Sequence, residues 1–331
     1  MMMLRKSLVV VFGCLLVIGL MGNVQAKDKP IELSFALHTA PGGPDHMAVE
    51  VFKGLVESRS KGKLVVTLFP GGQLGGERDN LEQLKQGEVA LTQSGDLCVS
   101  LYAPEYGAAI IPFVFPSIED VFIAWDGMIG DNIKKAFMEK GGVHLVGKQR
   151  RGSRMLTAKK AIPSPKELEG LKIRVPEIPT WVKVWREMGA LPTVVAWPEV
   201  FGALQTGVVE AQENPLYLIY TTKLYEVQNH VMLTAHVHAM FHWLMSDKVL
   251  QSLPKDLQDI VLASAAQAAE YGDMLTAKQG EDYKQKLQEV GMTVMDVDVK
   301  PFIEQAKPAI EQIRDSWAKG VYEEVQIIIN Q

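Results

Sequence analysis

Short apolar stretches alternate with amphipathic ones along most of the chain. In IELSFALH, residues 31–38, every second residue is apolar, which predicts a strand with one face in a core. A glycine-rich bend and a helix to about Ser58 follow. The same order recurs, and it predicts further strands in LVVTLF, VALTQS, VHLVGK, RMLTA, LKIRV and PTVVA. This βαβ order is typical of α/β domains with mixed, mostly parallel sheets.

The last third of the chain has a helical pattern instead. Residues 254 to about 290 are rich in Ala, Gln, Leu, Lys and Glu. A helix of roughly 35 residues spans about 50 Å, which exceeds one small domain, so we expect it to run across two lobes, with Gly272 and Gly280 as candidate bend points. A final helix is predicted over residues 308–331.

Two lobes also suit the length of the chain. We expect lobe I to comprise residues 27–151 with about 240–275, and lobe II to comprise residues 152–239 with about 280–305. The helix over about 254–290 would join them.

The N-terminus has the pattern of an export signal over residues 1–26. A basic start, MMMLRK, precedes an apolar run, and Val24-Gln25-Ala26 fits a cleavage site. A membrane anchor is the alternative, but the run is short for a span. Cleavage predicts a mature periplasmic protein that begins near Lys27, does not span the membrane, and keeps only Cys98, so no intramolecular disulfide forms.

The charge of the chain limits the classes of partner that it can bind. The chain has 34 basic and 39 acidic residues, and loss of Arg5 and Lys6 with the leader leaves 32 basic residues. The mature chain is therefore acidic and has no basic run, so we expect no nucleic-acid partner.

Motifs for cofactors and catalysis are weak. PGGQLGGE lacks the Lys-Ser/Thr ending of a phosphate loop, no G-x-S-x-G occurs, and Cys98 has no nucleophile motif around it. Histidines cluster at positions 230, 236, 238 and 242. A metal is conceivable if His236 and His238 share a strand face, but two ligands do not make a zinc site. We therefore expect no catalytic residue, no metal and no cofactor.

Four residues at the ends of elements point to a binding site in the block from Arg150 to Tyr225. Arg154 and Arg174 stand at strand boundaries, Trp197 precedes Pro198, and Asn214 precedes Pro215. Taken alone, Arg174 in GLKIRVPE fits a solvated charge at a strand edge, since Leu171, Ile173 and Val175 supply the apolar face. Open α/β sheets, however, bind ligands at strand ends and between lobes.

Three longer stretches carry a resemblance to a known family. They are GKLVVTLFPGGQLGGERDNLEQLKQGEVALTQ, LKIRVPE and PEVFGALQTGVVEAQENPLYLIYTTKLYEVQ. Over essentially the whole mature chain, the sequence resembles the extracytoplasmic solute-binding proteins of TRAP transporters, the DctP-like group. Ala211-Gln212 departs from the Asp-Gly-Gln run usual in the family, which affects a turn more than the site.

The resemblance implies a fold, a partner and roles for single residues. It implies two α/β lobes joined by strands and a long helix, with a carboxylate ligand between them and a membrane permease as partner. Arg174 matches the arginine that grips the carboxylate, Arg154 a second arginine, Asn214 the asparagine of Glu-Asn-Pro, and Trp197 an aromatic that packs on the ligand. In the first lobe, the matching positions are His38, Glu77 and Ser94.

The expected ligand is a hydroxylated monocarboxylate, such as a uronate or another sugar acid. An ionised Glu77 accepts hydrogen bonds from hydroxyls and repels a second carboxylate. Arg150 is the counter-argument, because strand alternation through Gly152 would place it on the face of Arg154. A C4-dicarboxylate or keto acid, or an aromatic acid near Trp197 and Phe201, therefore remains an alternative. So do a ligand sensor that docks on a signalling receptor and an exported enzyme.

Overall fold

One continuous sheet connects the two lobes in the computed structural model, which describes residues 29–331. The predicted leader, residues 1–26, lies outside the described residues. The strands in chain order are β1 Ile31–Ala36, β2 Leu64–Phe69, β3 Leu91–Ser94, β4 Val143–Ala158, β5 Lys172–Val175, β6 Leu191–Val194, β7 Ala211–Pro215, β8 His230–Ser246 and β9 Thr293–Met295.

Helices cover this sheet and link its strands. They are α1 Pro44–Arg59, α2 Glu77–Gln86, α3 Leu97–Tyr102, α4 Ile118–Asp126, α5 Met128–Ala136, α6 Pro179–Glu187, α7 Val200–Thr206, α8 Leu216–Thr221, α9 Asp247–Ser252, α10 Lys255–Glu289, α11 Lys300–Arg314 and α12 Val321–Ile329. Between residues 29 and 331, no helix combines the length and the apolar character needed to cross a membrane.

The strand order is β2-β1-β3-β8-β4-β7-β5-β6, with β9 paired to β8. Neighbours on the two outer parts pair in parallel: β1 with β2 and β3, and β5 with β6 and β7. Around the centre, β8 pairs antiparallel with β3 and β4, and β4 pairs antiparallel with β7. The predicted α/β architecture with a mixed, mostly parallel sheet is confirmed.

The two central strands are long and irregular. The predicted separate strands VHLVGK and RMLTA are instead one strand of 16 residues, β4, which pairs with the 17-residue β8. Three register shifts interrupt the pairing, at Leu145/Gly147, Arg150/Gly152 and Arg154/Leu156. The first two are one-residue β-bulges, which bend the strand without ending it, and at the third the pairing resumes after four unpaired residues of β8. Gly152, which separated two predicted strands in the sequence, therefore marks a bend within one strand. Both lobes share that strand.

The bulge at Gly152 changes which arginine faces the cleft. Arg150 pairs with Met240 and Gly152 with Ala239, so Arg151 is the extra residue, and Gly152 has φ +98°. The expectation that Arg150 shares the face of Arg154 is therefore wrong. Arg150 binds Asp273 on α10, with Nε 3.0 Å from Oδ1.

Helix α10 is one continuous helix of 35 residues and contains both predicted bend points, Gly272 and Gly280. It packs along α1 and β4. A Cβ at Gly272 would lie 2.7 Å from Cβ of Ala48, so the glycine permits the close approach of α1. At 1.5 Å per residue, the helix is about 50 Å long, and its presence confirms the predicted long helix.

The C-terminal region differs from the expected single helix over 308–331. It forms α11 and α12, with Pro308 inside α11, and Gly320 precedes α12 at φ +91°. That backbone conformation suits glycine and cannot continue a right-handed helix. The break lets α11 pack against α6 while α12 packs against α4.

The core confirms the apolar face predicted for GLKIRVPE. Leu171, Ile173 and Val175 are all buried. Arg174, however, is buried as well, with only 4% of its surface exposed. A charge buried on this scale needs a compensating partner, so the interpretation as a solvated edge charge is wrong.

Candidate ligand-binding site

A cavity lies between the lobes, where the central strands meet β5 and the loop after β3. It contains six of the seven residues singled out in the sequence. Its lining comprises His38, Glu77, Asp96, Leu97, Arg151, Arg154, Arg174, Pro176, Ile178, Trp181, Trp197 and Asn214. The seventh residue, Ser94, lies behind Glu77 and is fully buried.

Arg174 presents an unused guanidinium edge to this cavity. Its Nε donates to the carbonyl oxygen of Val195 at 2.9 Å. Within residues 29–331, neither terminal nitrogen takes part in a hydrogen bond or ion pair. Burial, together with the positive charges of Arg154 and Arg151, lowers the pKa of Arg174 to about 9. The group is still protonated at neutral pH, and an anion in the cavity would relieve the cost of its burial.

Arg154 is already paired. Its Nη2 donates to Oε1 of Glu213 at 2.8 Å and to the Glu213 carbonyl at 2.7 Å, and its Nε donates to Oε2. Nε2 of His236 lies 3.0 Å from the same Oε2. Burial opposes ionisation of Glu213, but the charge and hydrogen bonds of Arg154, with His236, lower the pKa of Glu213 to about 2. The guanidinium of Arg154 is therefore held rigidly, because a buried carboxylate binds two of its nitrogens.

Arg151 brings a third guanidinium to the cavity. Its Cζ lies 4.5 Å from the centre of the Phe241 ring, and its buried Nε has no hydrogen-bond partner among the described residues. This residue was missed in the sequence because regular alternation pointed to Arg150. The signal that could have found it is Gly152, since a glycine inside a strand often marks a bulge.

Glu77 begins helix α2 and faces Arg151. Its Oε1 accepts hydrogen bonds from Ser94 Oγ and from the backbone N–H of Gly95, both at 2.7 Å. Burial opposes its ionisation, but the charge of Arg151 and these two hydrogen bonds favour the carboxylate, and the pKa of Glu77 is lowered. Its other oxygen, Oε2, lies 3.8 Å from His38 Nε2. Ser94 therefore orients Glu77 and does not itself line the cavity.

His38 is a neutral member of the lining. Burial lowers the pKa of His38 to about 4, against the attraction of Glu77. Both ring nitrogens are buried, and neither has a hydrogen-bond partner among residues 29–331. A neutral imidazole has one donor and one acceptor, and both are free for a ligand.

Aromatic rings close two sides of the cavity. Arg174 Cζ lies 5.7 Å from the centre of the Trp197 ring, and Arg154 Cζ lies 5.0 Å from that of Trp181. Trp197 is partly exposed, whereas Trp181 is fully buried. Asn214, at the end of β7, donates through Nδ2 to Gln212 Oε1 at 2.6 Å. The cavity thus combines flat apolar walls with polar groups at fixed positions.

Comparison with known proteins identifies the family. Residues 35–316 match the model of the bacterial extracellular solute-binding proteins, family 7, the DctP family. The chain belongs to this family. A curated solute-binding protein of Roseobacter denitrificans is 35% identical over 265 residues, which cover 80% of this chain and 81% of that protein.

Solved TRAP periplasmic solute-binding proteins share the fold. The structure of the Roseobacter denitrificans protein, with bound L-galactonate, has a TM-score of 0.83 at 32% identity and covers 90% of this chain and 97% of its own. One from Ochrobacterium anthropi, with bound L-fuconate, has a TM-score of 0.85 at 28% identity, with 91% and 100% covered. One from Shewanella oneidensis, with bound succinate, has a TM-score of 0.86 at 25% identity, with 91% and 99% covered. The predicted TRAP solute-binding family is confirmed.

Two further residues at the site of this TRAP protein were not predicted from the sequence: Asp96, which lines the cavity, and Glu213, which is fully buried and paired with Arg154. Glu213 was passed over as part of the Glu-Asn-Pro signature, although a carboxylate beside a buried arginine is a natural partner. Asp96 follows the predicted strand VALTQS by two residues. Its position at a strand end is the same signal that drew attention to Asn214.

The histidine cluster is distributed over separate contacts. His236 contacts Glu213, His238 Nδ1 lies 2.8 Å from Ser153 Oγ, and His242 Nδ1 lies 3.0 Å from the carbonyl oxygen of Gly95. Over residues 29–331, no three His, Cys, Asp or Glu side chains are close enough to hold a metal ion. Cys98 is buried, and burial raises the pKa of its thiol well above the usual value.

Proposed function

We propose that this TRAP protein captures a hydroxylated monocarboxylate, a sugar acid or uronate, in the periplasm and delivers it to a membrane permease. The observation that carries the proposal is the buried Arg174, whose two terminal nitrogens face the cavity and have no partner among residues 29–331. Arg174, Arg154, Asn214, Trp197, Glu77 and His38 bind the ligand directly, and Ser94 acts through Glu77.

The carboxylate end of the ligand lies on Arg174. A guanidinium offers two parallel N–H donors that match the two oxygens of a carboxylate. Arg154 has its Nε and Nη2 occupied by Glu213, so it contributes Nη1 and positive charge but not a complete fork. Trp197 packs against the ligand beside Arg174.

Hydroxyl groups of the ligand lie against Glu77 and His38. Oε2 of Glu77 is free to accept a hydrogen bond from a hydroxyl, and the lowered pKa of Glu77 keeps it ionised. An ionised carboxylate disfavours a second ligand carboxylate at this position. The bound L-galactonate and L-fuconate of the Roseobacter and Ochrobacterium proteins support a hydroxylated acid.

Arg151 favours the second candidate, a C4-dicarboxylate or keto acid. Its charge lies beside Glu77 and offsets the repulsion of a second acid group. The bound succinate of the Shewanella protein supports this alternative. In the first candidate, Arg151 compensates the charge of the ionised Glu77. In the second, Arg151 binds the second acid group of the ligand.

Delivery requires that the cleft open and close. Contacts between the lobes include the surface ion pair of Arg78 on α2 with Glu177 after β5 and a buried hydrogen bond from Trp181 Nε1 to the carbonyl oxygen of Ile110, at 2.6 Å. The surface pair contributes little by itself, and a ligand that bridges both lobes adds to these contacts and favours the closed state. The division into lobe I (27–151 with about 240–275) and lobe II (152–239 with about 280–305) places the hinge in β4, β8 and α10.

Calorimetric titration of ligand-stripped protein tests the proposal. The panel comprises galactonate, glucuronate, galacturonate, succinate, malate and an aryl acid. Galactarate is the matched control, because it differs from galactonate only in a second carboxylate. We expect tightest binding among the hydroxylated monoacids and at least a tenfold loss for galactarate.

The opposite results would overturn it. Tightest binding of succinate or malate would establish the dicarboxylate alternative. If galactarate bound as tightly as galactonate, Glu77 would not exclude a second carboxylate. Conversion of a bound acid to a new mass on incubation would indicate an exported enzyme.

A further inference from the structure

Asp96 is a buried acid that the fold itself does not use. It occupies the position before α3 where an aspartate commonly caps a helix, yet its side chain makes no capping hydrogen bond. Only 5% of its surface is exposed, and Oδ2 has no hydrogen-bond partner among the described residues. Because it lines the cavity, its carboxyl is free for a ligand.

The surroundings of Asp96 are charged on several sides. Arg151 and Arg154 face it from β4, Glu77 from α2 and Glu213 from β7. Burial raises the pKa of Asp96 to about 7, and Glu77 and Glu213 add to this while the two arginines oppose it. At neutral pH the carboxyl therefore exchanges readily between its two protonation states.

The charges of the cavity leave room for one added negative charge. Glu213 pairs with Arg154, and Glu77 faces Arg151, while Arg174 has no carboxylate partner among residues 29–331. A ligand carboxylate supplies that missing charge. An ionised Asp96 would then be a second negative charge in a closed, buried space, where like charges favour protonation of one of them.

We propose that Asp96 contacts the bound acid as a protonated carboxyl and takes up one proton from solvent when the acid binds. In that form its O–H donates a hydrogen bond to a ligand oxygen and its C=O accepts one from a ligand hydroxyl. The site thus loads a monoanion together with a proton. This inference rests on the proposed function, and it adds a ligand-contacting residue and a pH dependence to it.

Proton uptake is measured directly by calorimetry with galactonate at pH 8 in phosphate and in Tris, which differ in ionisation heat. We expect the wild-type protein to take up close to one proton per ligand. Its affinity should fall by up to roughly tenfold per pH unit above pH 7.

Asp96→Asn is the decisive variant, because its amide keeps a donor and an acceptor but does not titrate in this range. We expect affinity within about threefold of wild type at pH 6, no fall up to pH 9, and no proton uptake. Asp126→Asn, at a carboxylate outside the cavity, should behave as wild type. Thermal unfolding shows whether each variant is folded. If Asp96→Asn does not fold, Asp96→Ser replaces it in the same measurements.

The outcomes separate the two proposals. If no acid of the panel binds the wild-type protein, the proposed function fails and this inference with it. If galactonate binds the wild-type protein without proton uptake, or if Asp96→Asn keeps the wild-type pH slope, only the role of Asp96 is overturned.

Discussion

Arg174 and Trp197 form a corner of the cavity, with the guanidinium carbon 5.7 Å from the ring centre. Val195, in the short connection between β6 and Trp197, supplies the carbonyl oxygen to which Arg174 Nε donates at 2.9 Å. One backbone contact thus fixes the plane of the guanidinium and leaves its terminal nitrogens free.

Arg174→Lys should weaken acid binding by ten- to hundredfold or more, although the charge is kept. A lysine ammonium cannot reproduce the fork, and charge-assisted hydrogen bonds contribute roughly 1.5–3 kcal/mol each. Calorimetry on the folded variant measures this. Arg150→Lys is the matched control, since Arg150 binds Asp273 on α10, and it should leave affinity unchanged. Near-wild-type affinity of Arg174→Lys would remove Arg174 as the carboxylate clamp.

Trp197→Ala should weaken binding while the ligand-free protein stays folded, because Trp197 is only partly buried at the cavity wall. Trp243→Ala is the contrast: Trp243 is fully buried in the core against Phe35, and its loss should cost about 3–5 kcal/mol of stability. Chemical unfolding and titration on both variants measure the two effects. A stability loss for Trp197→Ala as large as that of Trp243→Ala would make it a core residue.

Glu213→Gln should destabilise the protein by about 3–5 kcal/mol, because it leaves the buried Arg154 without its carboxylate. The pKa of Glu213 is lowered from 4.5 to about 2. Its stabilising contribution is therefore complete above about pH 4.5 and is lost as the pH falls toward 2. Urea unfolding at pH 7 and pH 3 checks both statements, and an unchanged midpoint at pH 7 would contradict them.

Buried histidines should make the protein less stable between pH 6.5 and pH 4. Burial lowers the pKa of His242 to about 4, and that of His38 likewise. Unfolding exposes rings that take up protons below about pH 6.5, so stability is complete above that pH and is lost as the pH falls toward 4. His242→Asn keeps a donor near Nδ1 but does not titrate. We expect its melting temperature to change less between pH 6.5 and pH 4 than that of the wild-type protein. A slope for His242→Asn equal to that of the wild-type protein would show that His242 does not titrate with unfolding.

Gly95→Ala should displace Arg151 and weaken binding by about tenfold. A Cβ at Gly95 would overlap Nη1 of Arg151, so the guanidinium must leave its place on the Phe241 ring. Gly54→Ala is the control, because a Cβ there meets nothing within 4 Å, and in helix α1 it should stabilise by about 0.5–1 kcal/mol. Unchanged affinity in Gly95→Ala would mean that Arg151 has no part in binding.

The sequence predicted the architecture because each strand and helix follows a local apolar period. It also predicted that Arg174 and Asn214 lie near strand ends, as they do in β5 and β7, whereas Arg154 lies inside β4 and not at the strand boundary expected for it. It did not predict Arg151, because an inserted residue reverses the alternation of side chains beyond it. Gly152 marks the bulge but does not by itself identify which residue is extra.

Long-range packing explains the other differences between the sequence-based predictions and the structure. Helix α11 continues through Pro308 because its buried residues, among them Phe302 and Ile313, outweigh the lost hydrogen bond. Ser94 has a strand-end position like that of Asn214, but Glu77, 17 residues away, covers it. Neither outcome follows from the neighbouring residues alone.

The pairing of β3 with β8 has a consequence for synthesis. Leu91 pairs with Met245 and Ser94 with His242, so the first lobe lacks a central strand until the ribosome has passed residue 246. A nascent chain that ends earlier exposes the unpaired edge of β3 and cannot complete either lobe, because β4 depends on the same strand. Folding of both lobes is thereby postponed until the chain has been synthesised beyond residue 246 of its 331.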